Sequence, residues 1–298
     1  MKNLSLRGVV TPLVTPLSAT AELDLAGFHK LIEDLLAAGV SAVFPLGSSG
    51  EGPWLTIAEQ QRAVRYVVEL VDDRVPVLAG VLECSTSRVI EAITRAEDAG
   101  AAAVVVTTPY YFEVDEAAIE RHFAAIAQHA RIPVVLYNIP QMTGNTITPK
   151  LVSNLLVNHK ICAIKDSAGD FEAFQQFLAL RSKKSDFRVL QGAERQAAIA
   201  LRAGADGVVP GLSNIVPHWF VEMCAANDSN EIHRLSKLQC QVNKLSDLHN
   251  HGYWLACLKH AASRRGYGSG VVAPPGMDLT QDARRAIDDL VSTRVAGK

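Results

Sequence analysis

Lys165 has the widest chemical repertoire of any residue in this chain. It closes the run Ile161-Cys162-Ala163-Ile164-Lys165, whose β-branched and small residues read as a strand. Side chains alternate along a strand, so Lys165 shares a face with Ile161 and Ala163, and on that phase it points into the protein. Burial disfavours an ammonium and lowers a lysine pKa. The neutral amine then attacks carbonyls and forms a Schiff base. A lysine just past a strand end also has a plainer fate, reaching back to water along its own stem. Position alone leaves both readings open.

Other groups stand at comparable places. Tyr137 ends the run Ile132–Tyr137; a tyrosine there passes protons or packs at a rim with its hydroxyl bonded to a neighbour. Gly47-Ser48-Ser49-Gly50 offers two hydroxyls and several backbone amides in a tight loop, which suits a carboxylate and equally an ordinary polar turn. Glu51 reads as a structural carboxylate and Cys162 as a small core residue. His249 and His251 lie two apart in a helix-like segment, where they would not face each other. No HExxH, DxD cluster or P-loop occurs, so neither metal nor cofactor is expected.

The elements that position these groups follow from periodicity. Apolar runs rich in Val and Ile occur at Gly8–Val14, Val40–Leu46, Val75–Val81, Ala101–Val106, Ile132–Tyr137, Ile161–Lys165, Phe187–Leu190 and Ala205–Val209. They largely lack polar alternation, as strands buried on both faces of a parallel sheet do. Amphipathic segments lie between them, including Asp24–Ala38, Ile57–Val71, Ser87–Ala99 and Ala117–Ala130. Ala38-Gly39-Val40, Ala99-Gly100-Ala101 and Ala203-Gly204-Ala205 each read as a helix end, a left-handed glycine and the next strand. An open doubly wound sheet has the same local pattern. Eight strands, with no GxGxxG after the first, favour an α/β (β/α)₈ TIM barrel. In that fold the chemistry sits at the C-terminal ends of the strands, where Lys165, Tyr137 and the Ser48 loop would converge. The strand pattern stops after about Pro217. We expect a barrel over residues 1–226 and a C-terminal helical extension packed on it over 227–298, including a last helix at Thr280–Thr293.

A chain of 298 residues builds a large core without a metal or disulfide staple. Its net charge of −2 gives no electrostatic case for nucleic acid or anionic membrane as partner. Five cysteines without a CxxC pair argue against disulfides and for a reducing, cytoplasmic setting. Met1–Pro12 shows no secretory h-region, and no run of about 18 apolar residues occurs.

Gly47-Ser48-Ser49-Gly50-Glu51, Thr108-Pro109-Tyr110-Tyr111, Tyr137-Asn138-Ile139-Pro140 and Ile164-Lys165-Asp166 together resemble motifs of the dihydrodipicolinate synthase / N-acetylneuraminate lyase family, in order and at similar spacing. The similarity runs from about Gly8 to Asn214, with a family-like helical tail. The resemblance implies a TIM-barrel class I aldolase or lyase, a homotetramer built as a dimer of dimers, with a small 2-oxo acid as substrate. By position, Lys165 resembles the Schiff-base lysine and Tyr137 the proton-shuttling tyrosine. Ser48 and Ser49 resemble the pair that holds the substrate carboxylate, Ser48 also relaying protons. Tyr111 resembles a tyrosine that reaches across a dimer interface into the neighbouring site. The synthase branch has an arginine where Met142 stands, and a thioether makes no bidentate carboxylate pair. The sialic acid branch has an acidic pair after Gly192 and a serine at Gly211; here Ala193-Glu194-Arg195 and Gly211 stand there. Arg195 is a candidate partner for an anionic tail, or a surface charge. The expectation is a Schiff-base lyase acting on pyruvate or a 2-oxo-3-deoxy sugar acid. The alternatives are dihydrodipicolinate synthesis from pyruvate and aspartate semialdehyde, and a non-catalytic barrel that binds a 2-oxo acid.

Overall fold

The chain folds as eight parallel strands with helices packed outside them. The computed structural model describes residues 4 and 6–295; the outermost residues of both expected units lie outside the described residues. The strands are β1 (Gly8–Pro12), β2 (Ala42–Phe44), β3 (Leu78–Val81), β4 (Ala103–Thr107), β5 (Val134–Asn138), β6 (Ile161–Asp166), β7 (Arg188–Gln191) and β8 (Gly207–Val208). Their order is β2-β1-β8-β7-β6-β5-β4-β3. A parallel bridge from Val43 to Val77 joins the two ends, so the sheet closes into the (β/α)₈ barrel.

The helices are α1 (Leu25–Ala37), α2 (Ile57–Val71), α3 (Thr86–Asp98), α4 (Glu116–His129), α5 (Pro140–Thr143), α6 (Pro149–Leu155), α7 (Phe171–Ala179), α8 (Ala197–Arg202), α9 (Pro217–Asp228), α10 (Ile232–Ser246), α11 (Trp254–Ser263) and α12 (Gln281–Val295). After α9 the chain stays helical: α10 packs on α9, and α11 on α12 and the turn after β8. None is long and apolar enough to cross a membrane.

The recurring glycine is a true hinge. Gly39, Gly100 and Gly204 have φ of +83°, +88° and +99°, where an L side chain is strained. Each closes the same pair of bonds: Gly39 N–H to Leu36 O with Val40 N–H to Leu35 O, and the equivalents at Gly100 and Gly204. This is the helix-ending motif that turns the chain into the next strand. The closure also shortens strands. Val40 and Ala205 are still bonded back to the preceding helix, so β2 and β8 begin later than the apolar runs. Pro45 and Pro210, which have no N–H, follow within two residues of their ends.

Two apolar layers result. Residues between strands and helices include Val9, Val104, Val134, Ile164 and Val189. The barrel interior holds Val10, Phe44, Val105, Val135, Ala163 and Leu190. Ile161 departs from simple alternation. It packs in the outer layer, not on the face of Ala163 and Lys165. The ladder explains this: Val134 pairs with Ile161 but Val135 pairs with Ala163. The extra residue, Cys162, forms a bulge that shifts the phase by one.

His122 of α4 is buried, and its Nδ1 lies 2.9 Å from Thr86 Oγ1. Burial pulls its pKa down from 6.5 to about 4. The unfolded chain therefore takes up a proton first as pH falls, and stability present above pH 6.5 is lost between there and pH 4. The loss amounts to about 3 kcal/mol. Urea melts at pH 7 and pH 4 should show His122→Gln losing less stability across this window than the parent.

Candidate active site

Lys165 and Tyr137 face each other on adjacent strands, paired in register across β5 and β6. Both point inward at the C-terminal end of the barrel. Lys165 is 5% exposed, and its Nζ stands 3.6 Å from the centre of the Tyr137 ring and 5.2 Å from that of Phe44. Burial moves the Lys165 pKa down, and this outweighs the pull of Tyr137 toward the charged form. The result is an amine biased toward its nucleophilic, neutral state.

The Tyr137 hydroxyl lies 3.2 Å from Ser48 Oγ. Ser48 belongs to the loop after β2, which doubles back on Phe44; a β-carbon at Gly47 would stand 2.8 Å from that ring. Within the loop, the N–H groups of Gly50, Glu51 and Gly52 bond to the carbonyls of Gly47 and Ser48. Ser49 is buried. Outside the barrel wall, Asn138 Nδ2 donates to Asp166 Oδ1 at 2.7 Å, and Ile147 N–H donates to Asn138 Oδ1 at 2.9 Å. These bonds hold β5 and β6 together one residue beyond the Tyr137–Lys165 pair. Burial raises Asp166 to about 6.

The other expected residues scatter. Gly192 is close: a β-carbon there would stand 3.1 Å from Lys165 Cε and 2.0 Å from Ser167 Oγ, so only glycine leaves the lysine its room. At Gly211 a β-carbon would lie 3.8 Å from Ser49 Oγ. Met142, half exposed, lines the cavity at the mouth. Arg195 pairs instead with Asp247 at 2.9 Å, both side chains half exposed. Tyr111 is 86% exposed with φ of +80°, its ring edge-on to Phe112.

A cavity of about 220 Å³ opens beside Ser48, between the loops after β2 to β5 and the start of α11. Thr107, Tyr110, Ile139 and Thr143 line it from the expected motif regions; Trp54, Tyr253, Trp254 and Leu255 complete it. Sequence reading missed this second group. Trp54 had a signal, since it follows Glu51 by three residues; Tyr253 and Trp254 are brought in only by tertiary folding.

Glu51 explains how that folding is held. Its side chain is fully buried and paired with Lys259 of α11, while its other oxygen accepts from Ala273 N–H. Glu194 does similar work with Leu212 N–H, Ser246 Oγ and His249. Both carboxylates tie the mouth to the C-terminal helices.

A barrel with an amine buried beside a tyrosine at its C-terminal mouth has the parts of a carbonyl-condensing lyase. Comparison with known proteins agrees. Residues 5–294 match the dihydrodipicolinate synthetase family model. A 4-hydroxy-tetrahydrodipicolinate synthase of Stenotrophomonas maltophilia is 39% identical over 228 residues, 76% of each chain. YagE, a prophage protein of E. coli K12 solved with pyruvate, superposes with a TM-score of 0.93 at 29% identity, covering 97% of this chain and 99% of that one. A dihydrodipicolinate synthase of Thermotoga maritima gives 0.94 at 27% identity, covering 98% and 99%. The chain belongs to the dihydrodipicolinate synthetase family, and it is a lyase-type enzyme of the class I aldolase kind.

Proposed function

We propose that the protein forms an imine between Lys165 and the ketone of pyruvate or of a 2-oxo-3-deoxy acid. The observation that carries this is the buried Lys165 amine against the Tyr137 ring, whose hydroxyl reaches Ser48. The amine adds to C2 and water leaves, giving a protonated imine. That imine accepts the electron pair of the C3–C4 bond as an aldehyde departs, or of a C3–H bond as a proton departs. Tyr137 exchanges the protons, with Ser48 as relay. Ser49 and the backbone amides of Ser48 and Ser49 take the substrate carboxylate.

Proton exchange at pyruvate C3 isolates the enamine step. In deuterated buffer the methyl signal of pyruvate should decay with the enzyme present, and unchanged methyl protons would refute the assignment. Tyr137→Phe should slow this exchange by roughly 10²–10⁴-fold.

The name of the curated relatives, 4-hydroxy-tetrahydrodipicolinate synthase, makes condensation of pyruvate with aspartate semialdehyde the alternative reaction. An assay coupled to the next reductive step tests it, and a rate at background removes it. Tyr111 and Phe112, exposed side by side, suit burial against a second copy, and a homotetramer is the assembly we propose; sedimentation at assay concentration tests it. All five cysteines are free thiols, which supports a cytoplasmic setting.

A further inference from the structure

We infer that the aldehyde joined to or released from the 2-oxo acid carries an apolar, aromatic body. This rests on the Lys165 reading and concerns the cavity that adjoins it. The cavity is polar at its floor and apolar at its walls. Ser48 and Thr107 form the floor, and Thr107 pairs in register with Tyr137. Trp54, Tyr253, Trp254, Leu82, Ile139 and Met142 form the walls. Trp54 and Tyr253 stack with ring centres 6.1 Å apart, and Tyr253 and Trp254 lie 6.1 Å apart at a tilt.

Glu51, Tyr110 and Thr143, three of the polar side chains in the lining, are already engaged. Glu51, the one charged residue lining the cavity among the described residues, is paired with Lys259 and Ala273 N–H. Tyr110 hydroxyl donates to Leu82 O, and Thr143 Oγ1 to Asn145 O. Among the described residues, no lysine, arginine or histidine lines the cavity. A carboxylate tail would lose water and meet no cation, and a polyhydroxylated tail would find hydroxyl partners only at the floor, at Ser48 and Thr107, and leave the rest of its hydroxyls against indole rings and aliphatic side chains. An aromatic ring fits both chemistry and size, since cavities of roughly 150 Å³ hold benzene.

In the condensing direction, the enamine carbon C3 attacks the aldehyde carbon. A C–C bond forms, the carbonyl π pair moves to oxygen, and that oxygen takes a proton through Tyr137. Water then hydrolyses the imine, freeing the Lys165 amine and a 4-hydroxy-2-oxo acid. The reverse sequence releases pyruvate and the aldehyde, and neither direction needs an oxidant or reductant.

The test is kcat/KM of the full chain with pyruvate and, in turn, benzaldehyde, glyceraldehyde and aspartate semialdehyde. Benzaldehyde should exceed both others by at least roughly tenfold. Trp54→Ala should shrink that preference roughly tenfold. Met142→Arg, at a half-exposed position that tolerates a long side chain, should shift the ratio toward aspartate semialdehyde. Equal or better turnover of glyceraldehyde or aspartate semialdehyde overturns the inference, as does no turnover of any of the three. Reduction with borohydride in pyruvate alone separates the two layers: an adduct on Lys165 with the wrong aldehyde preference refutes only the substrate class, whereas no adduct refutes the underlying reading as well.

Discussion

Replacing Lys165 by methionine should lower kcat by at least roughly 10⁴-fold and leave a folded protein that melts higher at neutral pH. The activity loss follows from the proposed imine, because Lys165 is the amine that stands against Tyr137. The gain in stability follows from burial. Lys165 is held below its ordinary pKa by desolvation, so as pH falls from the unfolded value near 10.5 the unfolded chain gains its proton first. Stability is lost through that window down to the folded pKa, and neutral pH lies on its lower side or within it. Methionine has nearly the same length, no charge to desolvate, and suits the contact with the Tyr137 ring. Pyruvate release and a thermal melt on one preparation check both halves. Activity within tenfold of the parent would mean that the reacting amine is elsewhere.

The second large effect belongs to a residue with no contact to substrate. Lys259→Met leaves the Glu51 carboxylate buried without its cation, and breaking such a pair costs about 3–5 kcal/mol. Desolvation already holds Lys259 below its ordinary pKa despite Glu51, so the pair is costly in itself, and removing both charges should be far milder than removing one. Urea midpoints of Lys259→Met, Glu51→Gln and the double variant would show this as strong coupling. Additive effects would mean that the pair contributes little. Catalysis should suffer with stability in the single variants, because Glu51 anchors the loop that carries Ser48 and Ser49.

The parts legible in the sequence were those set by local rules. Apolar runs, amphipathic spacing and the Gly39, Gly100 and Gly204 turns each report on a few consecutive residues, and together they define the barrel. Lys165 and Tyr137 stand out as candidates because each lies one residue before the end of a strand, where the fold itself places chemistry. Alternation misplaced Ile161, because a bulge at Cys162 leaves no mark in a run that is apolar on both sides. The cavity walls were hidden for a different reason. Trp54 and Tyr253 are nearly two hundred positions apart in the chain, and stack because α11 lies over the mouth, where the Glu51–Lys259 pair is one of the contacts that tie it. Lys259 itself sits in the apolar stretch Trp254–Ala262, where a lone cation is the trace a buried ion pair leaves in a sequence. Arg195 illustrates the converse: its place after β7 suggests a substrate contact, yet Asp247 lies within reach on the surface.

The proposed chemistry depends on one bond, between Lys165 and a 2-oxo acid. Borohydride added to the native protein with pyruvate should reduce that bond and fix it. Mass spectrometry of the digested chain should then find one reduced pyruvate on the peptide carrying Lys165, absent when pyruvate is omitted and absent in Lys165→Met. An adduct on another lysine, or none on folded protein, would contradict imine formation at Lys165.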